Sequence, residues 1–246
     1  MTATPEEIAL LEQLGHDTWP ALEQEMVHGW LAKAAQGVTR RSNSINPAGP
    51  PSSSLVEAVE AGRTWLLDRG LPPIFRVTSL APSDLEPLLQ QSGLTKADGA
   101  VIMTRTLPPE APTTATVTIG SRRSEVWSDV LAGQGDRGGP ARQVVSRLLD
   151  SHTLPAGYAI ARNDEEVVAI GMTVIAGDHA GIFNMRTAPE HRRKGHAGAI
   201  LEALMAHGRA AGATTAFIQV APANRPAVEL YTAAGFTERY RYWYYS

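Results

Sequence analysis

Arg192-Arg193-Lys194-Gly195-His196-Ala197-Gly198 packs three cations and two glycines into one short stretch. Gly181 to Arg186, just before it, reads as a strand, and Ala199 to Ala206, just after it, reads as a helix. A strand, a basic glycine-bearing turn and a helix start make an anion site. Backbone N–H groups and the positive end of the helix dipole converge where the turn ends. Glycine lets the backbone close round a phosphate without a Cβ in the way. The stretch is neither a Gly-x-x-x-x-Gly-Lys-Ser/Thr loop nor a Gly-x-Gly-x-x-Gly fingerprint. A second group of chemistry-bearing residues lies downstream: Asn224, placed to cap a helix, and Tyr231 within that helix. Ala227 and Ala234 share the side of Tyr231, so its phenol projects past small residues.

The elements that must position these residues can be read in order. A helix runs from Pro5 to about Trp19, with Thr4 as cap. Strands are expected at roughly Glu25–Lys33 and Val38–Ile45, joined near Gly37. The turn-rich Asn46-Pro47-Ala48-Gly49-Pro50-Pro51 follows, then a helix capped by Ser54 and running to about Asp68. Pro73–Val77 is a strand, Pro82–Gln91 a short helix and Ala100–Thr104 a strand. Leu107-Pro108-Pro109-Glu110-Ala111-Pro112 cannot join a helix or a central strand, so a domain boundary is placed there, giving 1–110 and 111–246. Beyond it come a strand at Thr114–Ile119 and helices near Glu125–Leu131 and Ala141–Leu149. A hairpin turning at Asn163-Asp164 leads into the strand before the basic turn. Thr214–Val220 is a strand, Asn224–Ala234 a helix ended by Gly235, and Phe236–Tyr245 an aromatic-rich last strand.

The two halves end alike. Gln91-Ser92-Gly93-Leu94-Thr95-Lys96 matches Ala233-Ala234-Gly235-Phe236-Thr237-Glu238 in position and character. Several elements agree in order as well, which points to duplication. Where the second half has Arg192 to Gly198, the first has Asn46 to Ser54. There Pro47, Pro50 and Pro51 lack the N–H donors an anion needs, so the first half is expected not to bind one.

Bulk properties narrow the classes. The chain has 246 residues, a formal net charge of -3 and no cysteine. Disulfides, thiolate metal sites and a cysteine nucleophile are therefore excluded. Basic residues gather locally, at Arg40-Arg41, Arg122-Arg123 and Arg192-Arg193-Lys194, which suits a small anionic ligand better than nucleic acid. The seven histidines show no His-x-x-x-His or similar pairing at ligand spacing, so no metal site is expected. With no signal peptide and no apolar run long enough to cross a bilayer, a cytoplasmic chain with no membrane contact is expected.

Arg192-x-x-Gly195-x-Ala197, preceded by Ala188-Pro189 and a strand, resembles the acyl-CoA-binding motif of the GCN5-related N-acetyltransferases, the GNAT superfamily. Asn224-x-x-Ala227-x-x-Leu230-Tyr231-x-x-x-Gly235-Phe236 resembles that family's second signature. The resemblance covers about residues 112–246 well, and residues 1–110 only as a degenerate copy. It implies a tandem α/β protein: two GNAT-like domains, each a central mixed sheet flanked by helices, with splayed parallel strands at the coenzyme site. By resemblance, the N–H groups of Arg193, Lys194, Gly195, His196, Ala197 and Gly198 hold the pyrophosphate of acetyl-CoA, with Arg192, Arg193 and Lys194 adding attraction. The strand ending at Arg186 pairs with the pantetheine arm through Met185 and Thr187. Its freed N–H groups can also stabilise a tetrahedral oxyanion. Asn224 caps its helix and, by resemblance, contacts the coenzyme.

The implied reaction is direct attack of a primary amine on acetyl-CoA in a ternary complex. Tyr231 is then the acid that protonates the leaving thiolate, since a phenol near pKa ~10 is protonated at neutral pH. Glu125, His152, Asp178 and His179 are candidate general bases, beside a water chain. His191 and His196 read as solvated turn residues. A small-molecule or peptide amine is the expected partner, and the chain is read as a monomer or homodimer. The alternatives are a transferase using another acyl donor, or a non-catalytic acyl-CoA-binding or regulatory module.

Overall fold

The computed structural model describes residues 3–109, 116–133 and 139–246. Thr4 accepts from the Glu7 N–H and Pro5 fills the first helical position, so α1 runs Pro5–Thr18. β1 (Glu23–Val27) and β2 (Trp30–Ala34) form a hairpin. Its turn is His28-Gly29, both at positive φ, as a tight two-residue connection requires. One strand was expected over Glu25–Lys33, and that turn divides it.

The strand expected at Val38–Ile45 is mostly loop. It contains a 3-10 turn at Arg40–Ser42 and becomes extended only at β3 (Ser44–Asn46). The reason is the side chain of Asn43. Its Oδ1 accepts from the N–H of Ala35 (2.7 Å) and Gly37 (3.0 Å), and its Nδ2 donates to the carbonyls of Val38 (2.8 Å) and Thr39 (2.7 Å). One amide thus takes over the backbone partners a ladder would have supplied.

The chain continues with α2 (Leu55–Leu67), β4 (Phe75–Val77), α3 (Leu85–Gln91) and β5 (Lys96–Thr106). Next come β6 (Val117–Gly120), α4 (Glu125–Ala132), α5 (Pro140–Asp150), β7 (Ala156–Asn163), β8 (Glu166–Ala176) and β9 (His179–Thr187). Last are α6 (His196–Ala210), β10 (Thr215–Val220), α7 (Arg225–Ala233) and β11 (Thr237–Tyr245). These bounds agree with the sequence reading to within a few residues outside the 23–46 region. The boundary expected at 110/111 touches residues outside the described ones.

All strands join one mixed sheet, ordered β1-β2-β3-β4-β11-β5-β10-β9-β8-β7-β6. Apart from β6, the order reads the same from both ends once β1–β5 are exchanged for β7–β11. Each half lends its last strand to the other: β5 lies between β10 and β11, and β11 lies between β4 and β5. On one face α6 buries Ile200, Leu201 and Leu204 among Val168, Ala180 and Ile182. Each such side chain contributes about 1.5–3 kcal/mol of transfer free energy. On the other face α1, from the first half, packs Ile8, Leu11 and Leu14 into the cluster that holds Met172, Val174 and Phe183 of the second. A buried ion pair of the first half reaches the second through a tyrosine hydroxyl. Arg76 of β4 bonds Glu12 of α1, and Glu12 also accepts from the hydroxyl of Tyr240 on β11. No helix among the described residues is long and apolar enough to cross a membrane.

Candidate active site

β9 and β10 run parallel, but their pairing ends at Ile182↔Ile218. A bulge in β9 helps to turn the strand away. Between the pairs Ile170↔Arg186 and Met172↔Phe183, the single residue Gly171 faces both Asn184 and Met185, and Asn184 takes φ 53°. Gly171 has to be glycine, since a Cβ there would meet Ile200 Cγ2 at 2.7 Å and Met185 Sδ at 2.9 Å. Past the bulge the ladder to β8 resumes, and the Ala188 N–H donates to the Val168 carbonyl at 2.9 Å. By alternation along the strand, Thr187 and Met185 turn their backbone groups from β8 to the open edge.

The opening is a cleft of about 320 Å³. Met185, Arg186, Asn224 and Tyr231 line it together. Thr187 is the next residue on the strand, and the basic turn lies just beyond the cleft wall, after a 3-10 turn at Pro189–His191. Arg192 Nε reaches back to the Thr187 carbonyl at 3.5 Å. Arg193 and Gly195 adopt φ of 62° and 86°, and Gly195 is the N-cap of α6 with no side-chain cap bond. The first i→i−4 bond of α6 runs from the Ala199 N–H to the Gly195 carbonyl. The N–H groups of His196, Ala197 and Gly198 therefore have no helical partner. A Cβ on Gly198 would meet Leu230 Cδ1 at 4.0 Å, so α7 stands beside this first turn.

Asn224 caps α7, its Oδ1 accepting from the Ala227 N–H at a long 3.4 Å. Tyr231 is 5 % exposed, with its ring 6.1 Å from that of Phe236. Burial pushes its phenol up to about 12, while the Arg186 charge pulls the other way. It is therefore protonated throughout the neutral range and suited to donating a proton.

The candidate bases lie elsewhere. Glu125 and His152 line a larger depression, about 770 Å³, over α4 and α5. His152, Asp178 and His179 border a groove of about 1170 Å³ along α1. Neither contains Tyr231 or Asn224, so convergence of groups, not volume, picks out the cleft. His179 begins β9 and lies about 20 Å of strand from Met185. Burial, with the Lys33 charge, lowers His152 to about 4, so it stays neutral.

His191, expected to be solvated, is buried, and its Nε2 lies 3.1 Å from Glu166 Oε2. Pro189 and the Ala188 carbonyl turn it inward to meet the start of β8. Glu166, Glu190 and His191 bring potential ligand atoms within 4.8 Å of one another, a grouping invisible in sequence because 25 positions separate its ends.

Sequence reasoning also missed the opposite wall. Trp19, Arg40 and Arg41 from the first half face the cleft, with Tyr242 and Tyr244 from β11. The Tyr242 hydroxyl donates to Gln219 Oε1 at 3.3 Å. Burial acts to raise the Tyr242 phenol, but the Arg76 and Arg41 charges outweigh it and hold it below its ordinary value.

Residues 5–245 match the family model described as "Probable histone acetyltransferase Rv0428c C-terminal". YobR of Bacillus subtilis, named an uncharacterized N-acetyltransferase, is 28% identical over 239 residues, covering 94% of this chain and 95% of its own. Among solved structures, a GCN5-related N-acetyltransferase from Kribbella flavida superposes with TM-score 0.70 at 16% identity, over 100% of this chain and 96% of that one. A tandem GNAT protein from the clavulanic acid biosynthesis pathway superposes with TM-score 0.58 at 12% identity, over 77% and 68%. At these identities the two structures speak for the fold alone.

Proposed function

Because the chain belongs to this Rv0428c C-terminal acetyltransferase family, and so to the GNAT-type N-acetyltransferases, we propose that it transfers an acetyl group from acetyl-CoA to a primary amine by direct attack in a ternary complex. The observation that carries this reading is the splay of β9 from β10 beside the uncapped start of α6, with Tyr231 on the cleft wall. The open N–H groups of the turn, from Arg193 to Gly198, would take the pyrophosphate, with Arg192, Arg193 and Lys194 adding attraction at the surface. Met185 and Thr187 would pair with the amide-bearing arm as an added strand. That pairing brings the thioester to the point where β9 leaves β10, and a free N–H of the splayed edge would take the developing oxyanion.

The amine attacks the thioester carbonyl, the tetrahedral intermediate collapses, and the C–S bond breaks. Tyr231 would give its proton to the departing thiolate and regain one from water. The amine's proton leaves by water, since Glu125, His152, Asp178 and His179 all stand outside the cleft. In this reading residues 111–246 form the catalytic GNAT unit. Residues 1–110 form the degenerate one, which braces it and walls its acceptor side. Asn224 would contact the coenzyme as well as cap α7, because its 3.4 Å cap bond leaves the amide group available. The test is thiol release from acetyl-CoA over a panel of amines, run beside calorimetry for acetyl-CoA. Amine-stimulated release supports the transferase. Saturable coenzyme binding with no release from any amine points to a non-catalytic module.

A further inference from the structure

Among the described residues, the charged side chains on the cleft wall are Arg40, Arg41 and Arg186, with no carboxylate. Arg40 and Arg41 come from the first half, on the 3-10 turn between β2 and β3. Neither forms an ion pair with a described residue. Among the described residues, Arg40 Nη1 donates to the Asp98 backbone carbonyl at 3.4 Å, and its guanidinium lies 5.3 Å from the centre of the Tyr244 ring. The Arg41 guanidinium lies over Trp19 and Phe183, at 5.6 and 5.8 Å. A guanidinium that uses its face against aromatic rings keeps its in-plane N–H donors for an acceptor.

The turn that carries these cations is fixed. Asn43 satisfies four backbone groups around it, and the Ser42 hydroxyl donates to the Pro20 carbonyl at 3.0 Å. Ser42 and Asn43 are both buried. The fixed turn thus carries two forked donors to the cleft, the half-buried Arg41 beside Phe183 at the start of the splay and the exposed Arg40 beside Tyr244, neither with a counter-ion among the described residues. The coenzyme's pyrophosphate, in the proposed reading, is held at the start of α6, so it does not account for cations on this wall.

We infer that Arg40 and Arg41 select the acceptor, and that the acceptor is a small amine carrying a carboxylate, such as an amino acid. This rests on the acetyl-transfer reading above. Two guanidiniums carried on one fixed turn attract a carboxylate through paired N–H···O bonds and repel a second cation. A polyamine or a lysine-rich peptide would meet like charge at the wall. The cleft volume, near the lower end of about 300–1,000 Å³ for ligand sites, suits a small acceptor that shares the space with a thioester arm.

The experiment compares amino acids with their C-terminal amides and with diamines, following thiol release from acetyl-CoA. The expected result is kcat/KM at least about tenfold higher for the carboxylate than for its amide, the effect of about 1.4 kcal/mol in differential binding. Arg41→Gln should raise KM for the carboxylate acceptor by about tenfold or more while leaving acetyl-CoA affinity by calorimetry within about twofold. Arg41→Lys should restore part of the loss, and Arg40→Gln should act in the same direction. Equal or better use of amides or diamines overturns the inference and leaves the transferase reading standing. A loss of acetyl-CoA affinity in Arg41→Gln also overturns it, by assigning the guanidinium to the coenzyme. Coenzyme binding without thiol release from any amine would bring down both.

Discussion

α6 and α2 occupy corresponding places in the two halves, and their first turns have opposite chemistry. Each follows a strand that leaves its parallel partner early: β9 and β10 part after Ile182↔Ile218, and β3 meets β4 only at Ile45↔Phe75. At α6 the cap is Gly195, with no side-chain bond to the helix and cations on the turn before it. At α2 the cap is Ser54, whose hydroxyl accepts from the Glu57 N–H while Glu57 reaches back to the Ser54 N–H, a complete capping box. The Ser54 hydroxyl and N–H also hold the exposed Glu57 carboxyl below its usual range. In the turn before α2, the Gly49 N–H is spent on the Leu80 carbonyl at 2.8 Å. One helix start carries no side-chain cap, and the other has spent the Ser54 and Glu57 N–H groups on its capping box and set a carboxylate over its dipole. In the proposed reading, a repeated strand order therefore does not repeat the site. The site depends on which N–H groups are left unpaired.

Placing a charge at the open end should have the largest effect on coenzyme binding. Gly195→Asp puts an L-residue at φ 86° and a carboxylate where the pyrophosphate is proposed to sit. Acetyl-CoA affinity should fall by about a hundredfold or more in calorimetry, on the scale of losing two charge-assisted contacts. Gly49→Asn, at the same φ of 86° in the first half, should change it by less than about twofold, since asparagine tolerates that conformation. Two coenzyme sites per chain in the unmodified protein would end the contrast between the halves.

The next effect tests the first half as a brace. Glu12→Ala removes the partner of Arg76, which is 3 % exposed, and of the Tyr240 hydroxyl on β11. An uncompensated buried guanidinium costs about 3–5 kcal/mol, read as a loss of unfolding free energy in urea. A change below about 1 kcal/mol would mean that α1 and β4 are not held through this pair.

Tyr231→Phe sharpens the contrast from the chemical side, because the proposed site pairs an open helix start with Tyr231 as its acid. Turnover should drop by about tenfold or more with little change in acetyl-CoA affinity. A general acid works while protonated and fails as pH rises through its pKa. With burial holding Tyr231 at about 12, no alkaline fall in kcat below about pH 10 should trace to it. Unchanged turnover in the variant removes Tyr231 from the mechanism.

How much of this was legible follows from how local each signal is. The basic turn, the Asn224 cap and the helix bearing Tyr231 are written in spacing, because each depends on residues within one or two turns of chain. The strand pattern of the second half was legible for the same reason. The Asn43 loop was not: residues 38–45 carry the side chains of a strand, and a single buried amide overrides them. Nor was the far wall of the cleft. Arg40 and Trp19 meet Phe183 and Tyr244 only because the halves exchange their last strands, and no local pattern records that exchange. The capping box of α2 was readable, since Ser54-x-x-Glu57 is its signature, although only Ser54 was read as a cap.

The smallest expected effect separates two causes of silence in the first half. Prolines at 47, 50 and 51 remove donors from its turn, and the capping box occupies the Ser54 and Glu57 N–H groups and places a carboxylate at its helix start. Ser54→Ala removes only the second cause. It should cost about 1 kcal/mol of unfolding free energy, the usual loss for a serine cap. Coenzyme stoichiometry should stay at one per chain, because Pro47, Pro50 and Pro51 still donate nothing and the Gly49 N–H remains bonded to Leu80. A second, weak site appearing in calorimetry of Ser54→Ala would reverse that order. The cap would then be what closes the first half, and the prolines would be secondary to a helix start that still holds its anion geometry once uncovered.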